Sequence, residues 1–252
     1  MLLKDRTVMV TGASSGIGAA AARLLAAEGA AVVLVARRAE RLAELAAAIT
    51  ARGGRAAAAP GDVRSAADVE RAVGLAVERF GSLDAAFNNA GWGAAGSALH
   101  EMDDADYDRI MDVNVRGVWN CLRAQIPVML GQSTGGAIVN TSSTAGSFAT
   151  GVVAPYVAAK HAVAGLTKAA AAEYGDRGIR VNAVMVGATR TELMDAAIEQ
   201  MPALETLAVQ RAVQRRFAAP EEIARAVVWL CSDHASFVTG ACVPVDGGCS
   251  AV

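Results

Sequence analysis

The 252-residue sequence has few of the residues that build disulfide frameworks, metal sites or nucleic-acid-binding surfaces. Its three histidines share no metal-ligand spacing with the cysteines, and no Cys-x-x-Cys pair occurs among Cys121, Cys231, Cys242 and Cys249. We therefore expect reduced thiols, the usual state in the cytoplasm, and no bound metal. A net charge of -2 lacks the basic excess of a nucleic-acid-binding protein, so nucleic acid is not expected as a partner.

Long apolar runs are also missing. The N-terminal MLLKDRT has no apolar core of the length that a signal peptide needs, and no later run reaches the length of a membrane span. A hydrophobic fraction of 54% is nonetheless typical of a well-buried globular chain. At this length an α/β protein is commonly one domain, so we expect a single cytoplasmic domain over residues 1–252, with no membrane partner.

The sequence does contain a regular alternation of short apolar segments and longer helical stretches. We predict strands over 7–10, 31–36, 56–59, 83–88, 136–141, 180–184 and 242–245. We predict helices over 16–28, 38–51, 65–80, 105–129, 156–174 and 221–232. This order predicts an α/β fold with a doubly wound parallel sheet, whose ligands bind at the carboxyl ends of the strands. Residues 187–220 read as a long irregular stretch, which suggests a lid or a substrate-binding segment.

The first predicted strand runs into a glycine-rich turn, TGASSGIG, at residues 11–18. Glycines let the backbone turn tightly and approach a ligand, and the helix that follows offers unpaired N–H groups to a pyrophosphate. The glycine spacing differs from GxGxxG, and a plain strand-to-helix connection is the alternative. Its position in the first βα unit favours nucleotide binding by Gly12, Ser14, Ser15, Gly16, Ile17 and Gly18.

The second strand ends in VVLVARR, which bears on the choice of nucleotide. A protein that prefers NAD usually has Asp or Glu here, to bind the ribose hydroxyls. Arg37 and Arg38 instead suit a 2′-phosphate through charge-assisted hydrogen bonds, so NADP(H) is favoured and NAD(H) is the second choice. The alternative is that one or both arginines are solvated residues that open the next helix.

Two further loops are candidates for nucleotide contact because of their position after strands three and four. Asp62 and Val63 follow the third strand, where the carboxylate can accept a hydrogen bond from an adenine amino group; a turn or capping role is the alternative. The NNAG segment follows the fourth strand. Its small residues, Asn89, Ala90 and Gly91, allow the chain to pass close to the nucleotide, although Asn-Asn is also a common turn pair.

Tyr156 and Lys160 are four residues apart in a predicted helix and therefore share one face. An ammonium group beside a phenol favours the phenolate, which predicts a lowered tyrosine pKa and acid/base chemistry on a hydroxyl or carbonyl. With only three tyrosines in the chain, a chance pairing is uncommon. The alternative is a pair of unrelated surface residues.

TGASSGIG, NNAG, a serine 13 residues before YxxxK, and NAVMVG together resemble the short-chain dehydrogenase/reductase family, in its compact single-domain branch. The resemblance covers essentially the whole chain. It implies a Rossmann-type fold with a seven-stranded parallel sheet in the order 3-2-1-4-5-6-7. It also implies metal-free hydride transfer between a nicotinamide cofactor and a small-molecule ketone or secondary alcohol, and a homotetramer or homodimer.

The same resemblance implies roles for individual residues. Tyr156 would be the acid/base, and Lys160 would lower its pKa and hold the nicotinamide ribose. Ser143 would donate to the substrate oxygen, with neighbouring Ser142 as the alternative serine. Asn114 would hold a water near the lysine and complete a proton relay; the alternative is a local backbone hydrogen bond or a helix kink.

The segment after the sixth strand completes the implied cofactor site with Gly187, Thr189 and Thr191. Val186 stands where the family usually has proline, so the backbone there is less restrained and looser nicotinamide binding is expected. Pro155 is expected to fix the start of the helix that carries the tyrosine.

Other residues near the motif loops are candidates to line an apolar pocket: Trp92, Phe148, Val152, Val153 and Met194. The alternative function is a nucleotide-binding regulator or scaffold with this fold and little turnover. An epimerase of the longer branch is disfavoured because the chain has no room for a separate substrate domain. Enoyl reduction is disfavoured because that group spaces its tyrosine and lysine more widely.

Overall fold

A computed structural model describes residues 1–93, 97–149 and 153–251 of the chain. Seven parallel strands form one sheet in the order β3-β2-β1-β4-β5-β6-β7, which confirms the predicted fold class and strand order. The strands are β1 Thr7–Thr11, β2 Ala31–Ala36, β3 Arg55–Pro60, β4 Ala85–Asn88, β5 Gly136–Ser143, β6 Ile179–Val186 and β7 Cys242–Val245.

Helices connect the strands and cover both faces of the sheet. They are α1 Gly16–Ala27, α2 Ala39–Thr50, α3 Ala66–Phe80, α4 Asp104–Met111, α5 Gly117–Leu130, α6 Ala154–Tyr174, α7 Glu192–Gln200, α8 Ala203–Arg211 and α9 Pro220–Cys231. Short 3-10 turns occupy Leu99–Glu101, Thr144–Gly146, Gly175–Arg177 and Asp233–Ala235. Among the described residues no helix is both long and apolar enough to cross a bilayer.

The core has two layers because alternate strand residues point to opposite faces of the sheet. Val8, Val10 and Phe87 pack on one face against apolar residues of α1, α2 and α9. Met9 and Val33 pack on the other face against α3, α5 and α6. Every residue of β1 is buried, as expected for the central strand of a sheet covered on both sides.

The predicted helix over 105–129 is confirmed as a continuous helical stretch from Asp104 to Leu130, but a π-helical segment at Asp112–Arg116 lies between α4 and α5. In an α-helix the carbonyl of residue 110 would accept from the backbone N–H of residue 114. Here the Asn114 side-chain amide donates to the Ile110 carbonyl at 2.8 Å. The side chain thus takes the place of a backbone donor at the point where the helix widens.

The prediction that residues 187–220 are irregular is wrong, since α7 and α8 occupy much of this stretch. Its two ends are joined by a parallel bridge between Thr189 and Ala218. There the Arg190 N–H donates to the Ala218 carbonyl at 3.0 Å, and the Ala218 N–H donates to the Ala188 carbonyl at 2.9 Å. The segment is therefore a helical pair on a narrow base at the carboxyl edge of the sheet.

Three strands have ends that differ clearly from the prediction. β4 starts at Ala85 because the Leu83 N–H donates to the Gln132 side-chain oxygen at 2.9 Å instead of joining the sheet. β5 and β6 run further than predicted and end as a pair, with Ser143 opposite Val186. Ser143 is thus fixed by the sheet itself.

Candidate active site

The glycine-rich turn is closed tightly against the start of α1. Gly12 and Gly16 have φ values of +66° and +51°, which only glycine adopts readily. A Cβ on Gly18 would lie 2.2 Å from the Gly12 carbonyl oxygen, and one on Gly12 would lie 2.8 Å from the Asn89 side-chain nitrogen. The turn therefore presents bare backbone, and the glycines leave room that side chains would fill.

Thr11 links this turn to the NNAG loop, a role that was not predicted from the sequence. Its hydroxyl accepts from the backbone N–H groups of Asn89 at 2.9 Å and Ala90 at 3.0 Å. The Asn89 side chain donates in return to the Thr11 carbonyl at 3.2 Å. The sequence does contain one indication of this role, since Thr11 is a polar residue at the end of an otherwise apolar strand.

Of the two arginines that end β2, Arg38 lies on the glycine-rich turn. Its guanidinium donates to the Ser14 hydroxyl at 2.9 and 3.1 Å and to the Ser15 hydroxyl at 2.6 Å. Arg37 is exposed, and its charge contributes to lowering the pKa of Asp62. The described positions thus put cationic groups on both sides of the end of β2.

Asp62 is engaged by its own neighbour. The Arg64 guanidinium donates to the Asp62 carboxylate at 2.7 and 3.0 Å, and the Arg64 backbone N–H does so at 3.0 Å. The side-chain hydrogen bond from Arg64 is the main reason that the pKa of Asp62 is lowered. Val63 is buried, and its carbonyl accepts from the Asn120 side chain at 2.9 Å. These contacts match the interpretation of Asp62 as a turn residue, and the adenine contact stays a prediction.

Ser143 and Tyr156 meet where β5 ends and α6 begins. The Ser143 hydroxyl lies close enough to Tyr156 to lower the pKa of the phenol, and the Ser143 oxygen accepts from the Ala145 N–H at 3.2 Å. Ser142, the alternative serine, is 1% exposed and donates to the Lys160 carbonyl at 3.0 Å. The geometry favours Ser143, because the Ser142 hydroxyl faces the backbone of α6.

Lys160 lies one helical turn after Tyr156 and is only 3% exposed. Its side-chain nitrogen donates to the Thr141 carbonyl at 3.0 Å and lies 5.4 Å from the centre of the Tyr156 ring. Burial lowers the pKa of Lys160 to about 8, because an ammonium loses hydration there. The side chain is a nearly enclosed amine whose charge changes close to neutral pH.

The pKa of Tyr156 moves against the prediction. Burial raises it to about 12, and the hydrogen bond with Ser143 offsets only part of that effect. Desolvation of the phenolate is the larger cause, and the Lys160 nitrogen is turned to the Thr141 carbonyl. The prediction that Lys160 lowers this pKa is wrong for the arrangement seen here: Tyr156 is a protonated phenol at neutral pH.

Asn114 is fully buried within the π-helical segment and holds the loop next to the lysine. Its amide donates to the Trp92 carbonyl at 2.7 Å, in addition to the Ile110 carbonyl. A Cβ on Gly91 would lie 3.1 Å from the Asn114 oxygen and 3.7 Å from the Lys160 nitrogen. Gly91 is thus the narrow point between these two side chains.

A buried polar network lies below the site and was not predicted. The Asn88 and Gln125 side chains exchange hydrogen bonds of 2.8 and 3.1 Å, and Asn88 also donates to the Asn140 side chain at 3.0 Å. Asn140 donates to the Thr167 hydroxyl at 3.0 Å. The network fixes β4 and β5 against α5 and α6, which carry the groups above it.

An apolar cluster lies beside the phenol. Tyr156 packs against a small cluster made of Trp92, Met102, Ile110, Met111, Val115, Val153 and Ala159. The Arg109 guanidinium lies over the Trp92 ring at 4.1 Å. Of the other pocket candidates, Phe148 is partly buried, Met194 lies on α7, and Val152 is outside the described residues.

The segment after β6 returns to the glycine-rich turn. A Cβ on Gly187 would lie 2.6 Å from Cα of Asp246, and the Thr189 hydroxyl donates to the Gly187 carbonyl at 3.0 Å. Thr191 caps α7 by accepting from the Met194 N–H at 3.2 Å. A Cβ on Gly16 would lie 3.1 Å from the Thr191 methyl group. The start of α7 therefore touches the phosphate-loop candidate.

Among the described residues no group of three or more metal-ligating side chains occurs. The bare glycine turn at a helix start, the flanking arginines and the buried lysine fit a dinucleotide along the carboxyl edge of the sheet. The hydroxyl pair of Ser143 and Tyr156 lies at one end of this edge. The groups needed to orient an oxygen-bearing substrate next to a nucleotide are thus assembled together.

The chain resembles known proteins over nearly its full length. Residues 12–250 match the family model described as enoyl-(acyl carrier protein) reductase. An A-factor type gamma-butyrolactone 1′-reductase (1S-forming) from Streptomyces virginiae is 58% identical, over 98% of this chain and 96% of that protein. A cyclohexanol dehydrogenase from Acinetobacter sp. is 41% identical, over 96% and 94%. A crystal structure of levodione reductase matches with a TM-score of 0.94 at 38% identity, over 99% of each chain.

Proposed function

The chain belongs to the short-chain dehydrogenase/reductase family, and we propose that Ser143, Tyr156 and Lys160 are its catalytic residues. It is an oxidoreductase that transfers a hydride between a nicotinamide cofactor and a ketone or secondary alcohol. The observation that carries the residue assignment is the position of the Ser143 hydroxyl beside the Tyr156 phenol, with the Lys160 nitrogen 5.4 Å from the centre of that ring. The two hydroxyls would act on one substrate oxygen, with the amine beside the phenol.

The cofactor supplies or accepts the hydride, and the chain handles the oxygen and its proton. During reduction Tyr156 donates its proton to the carbonyl oxygen, and its raised pKa keeps that proton available at neutral pH. Ser143 donates a hydrogen bond to the same oxygen as negative charge develops on it. During oxidation Tyr156 must accept a proton, so that direction requires the phenolate and gains from higher pH.

Lys160 and Asn114 have supporting roles beside the Ser143 and Tyr156 hydroxyls. We propose that Lys160 holds the ribose hydroxyls of the nicotinamide half and that its charge stabilises the phenolate when oxidation requires it. Asn114 is a positioning residue, because its amide holds the Trp92 carbonyl and thereby the loop beside the lysine. The water-holding role implied for Asn114 stays a prediction.

We propose NADP(H) as the preferred cofactor. Support comes from Arg38, which contacts the phosphate-loop serines, from Arg37 beside it, and from the lack of a carboxylate at the end of β2. The pyrophosphate would lie on the glycine-rich turn, and the adenine near Asp62 and Val63. The NNAG loop and the segment that starts at Gly187 would complete the binding surface.

The substrate that we propose is the 1′-ketone of an A-factor type γ-butyrolactone, or the matching alcohol. The relative named for that reduction is 58% identical over almost the entire chain. The apolar cluster beside Tyr156 suits an uncharged substrate with an alkyl portion. We propose a single domain over residues 1–252, with residues 187–220 as its substrate-binding segment.

The test is a steady-state assay that follows nicotinamide absorbance with an A-factor type γ-butyrolactone ketone and with cyclohexanone, each with NADPH and NADH. The proposal predicts the highest kcat/KM for the lactone with NADPH. It predicts that Arg38→Ala lowers kcat/KM with NADPH about tenfold or more and changes kcat/KM with NADH little, since a guanidinium–phosphate contact is lost. Equal use of both cofactors by the wild type, or higher kcat/KM with cyclohexanone, would contradict it.

We also propose a homotetramer or homodimer in the cytoplasm. A groove of about 520 Å³ lies between the π-helical segment, α5 and α6, and Trp119 at its edge is 42% exposed. Exposed aromatic side chains beside an apolar groove are typical of an interface between subunits. The cytoplasmic location is supported by the four free thiols. Light scattering on the wild type and on Trp119→Glu tests the assembly, with a smaller species expected for the variant.

A further inference from the structure

Two arginines from the start of α2 converge on one carboxylate from the start of α7. Arg38 donates to one Glu192 oxygen at 3.0 Å, and Arg41 donates to the other. The remaining contacts of the Arg38 guanidinium are the hydroxyls of Ser14 and Ser15 in the glycine-rich turn. The Glu192 carboxylate thus pairs with Arg38, which contacts the glycine-rich turn, and with Arg41 on α2.

These donors form an anion site, and the chain fills it with its own carboxylate. Carboxylates and phosphate monoesters use the same guanidinium N–H groups, so the two anions are interchangeable ligands of Arg38 and Arg41. The hydrogen bonds from Arg38 and Arg41 lower the pKa of Glu192, so its carboxylate is ionised at neutral pH. All three side chains are about half exposed, which leaves the site open to an outside anion.

The ion pair also joins two parts of the proposed site, because of where Glu192 lies in the chain. Glu192 is the first residue of α7, in the segment that we propose binds the substrate, and the preceding Thr191 lies against the glycine-rich turn. The ion pair therefore ties the start of that segment to the nucleotide side of the site.

We propose that Glu192 is a specificity-determining residue that competes with the 2′-phosphate of the cofactor for Arg38 and Arg41. The inference rests on the NADP(H) preference proposed above. A cofactor without that phosphate leaves the ion pair in place, whereas a cofactor with it must displace the carboxylate. Glu192 therefore narrows the difference in affinity between the two cofactors. By linkage, a phosphate-bearing nucleotide also releases the start of α7.

The test measures nucleotide binding without turnover. Isothermal titration calorimetry compares adenosine 2′,5′-bisphosphate with adenosine 5′-monophosphate, which differ only in the 2′-phosphate, on the wild type, Glu192→Gln and Glu199→Gln. Glu199 lies on the same helix, is exposed and carries the same charge, so it controls for net charge. Glu192→Gln is expected to bind the bisphosphate about three- to tenfold more tightly, with the gain shrinking as salt is raised. Glu199→Gln is expected to match the wild type for both ligands.

The outcomes separate this inference from the proposed cofactor preference. Unchanged or weaker bisphosphate binding by Glu192→Gln overturns the competitor role. An equal loss of affinity for both nucleotides overturns it too, because that result would make Glu192 a ligand of the ribose hydroxyls. If the wild type binds both nucleotides equally, the preference fails. A bisphosphate-specific gain in Glu192→Gln would support the competitor role even then.

Discussion

The Lys160 side-chain nitrogen donates a hydrogen bond of 3.0 Å to the Thr141 backbone carbonyl. This contact holds an almost fully buried amine against the carboxyl-terminal part of β5, 5.4 Å from the centre of the Tyr156 ring. Burial lowers the pKa of Lys160 and raises that of Tyr156, so each group favours its uncharged form. The site therefore carries a cost in stability that depends on pH.

Replacing the buried lysine should change how stability depends on pH. The folded pKa of Lys160 is about 8, below the ordinary 10.5, so between these values the unfolded chain binds the additional proton. Wild-type stability should therefore rise relative to Lys160→Met from pH 8 to 10.5, by up to about 3 kcal/mol. Urea denaturation at several pH values measures the difference between the two proteins.

The control for this experiment is Lys168→Met, since Lys168 is an exposed lysine on the same helix. The difference in unfolding free energy between wild type and Lys168→Met should stay flat across the same range. The raised pKa of Tyr156 lowers stability above pH 10 in every variant and cancels in the comparison. A flat difference for Lys160→Met as well would contradict the lowered pKa of the buried amine.

Two glycine-to-alanine changes within helices should have opposite effects. A Cβ on Gly18 would lie 2.2 Å from the Gly12 carbonyl, so Gly18→Ala must open the glycine-rich turn. We expect it to weaken cofactor binding at least tenfold and to cost about 1–3 kcal/mol of stability.

The control is Gly74, which lies in the middle of α3 with no atom near the position of an added Cβ. Gly74→Ala should add about 0.5–1 kcal/mol and leave binding unchanged. Calorimetry and urea denaturation measure both, and equal effects would be evidence against the close approach.

Asn114 and Asn120 offer a matched pair, because each is buried and each donates to two backbone carbonyls. Either change to alanine should cost about 1–3 kcal/mol, since carbonyls lose their partners. Asn114→Ala should mainly lower kcat, because its loop lies beside Lys160, and Asn120→Ala should mainly raise the KM for cofactor, because it supports the turn at Val63. The same split of kcat and KM in both variants would show that Asn114 has only a structural role.

The positions of the strands and of most helices could be predicted from the sequence, because buried parallel strands leave apolar runs that are separated by amphipathic stretches. The glycine-rich turn, Tyr156 and Lys160 were found in the same way, since their spacing is local. The strand order was implied by the family resemblance. The local backbone hydrogen bond of Asn114 was one of the predicted alternatives, but its second hydrogen bond, to the Trp92 carbonyl 22 residues away in the chain, was not predicted. Nothing in the sequence near Asn114 signals that partner.

The electrostatics of the site could not be predicted from spacing either. A tyrosine and a lysine at i and i+4 suggest a lowered phenol pKa, but the sign is decided by burial and by where the ammonium points. Both are set by β5 and the polar network beneath it, through contacts such as Asn140 to Thr167. The pairing of Glu192 with Arg38 was hidden for the same reason, because 154 residues separate them.

The most direct test of the central claim is a comparison of turnover and binding in Tyr156→Phe. This variant removes one hydroxyl and keeps the ring against the apolar cluster. With Tyr156 as the proton donor, kcat for carbonyl reduction should fall about 10²- to 10⁴-fold, while the cofactor Kd from calorimetry stays within about twofold of the wild type. A variant that retains wild-type kcat with cofactor bound would contradict the account.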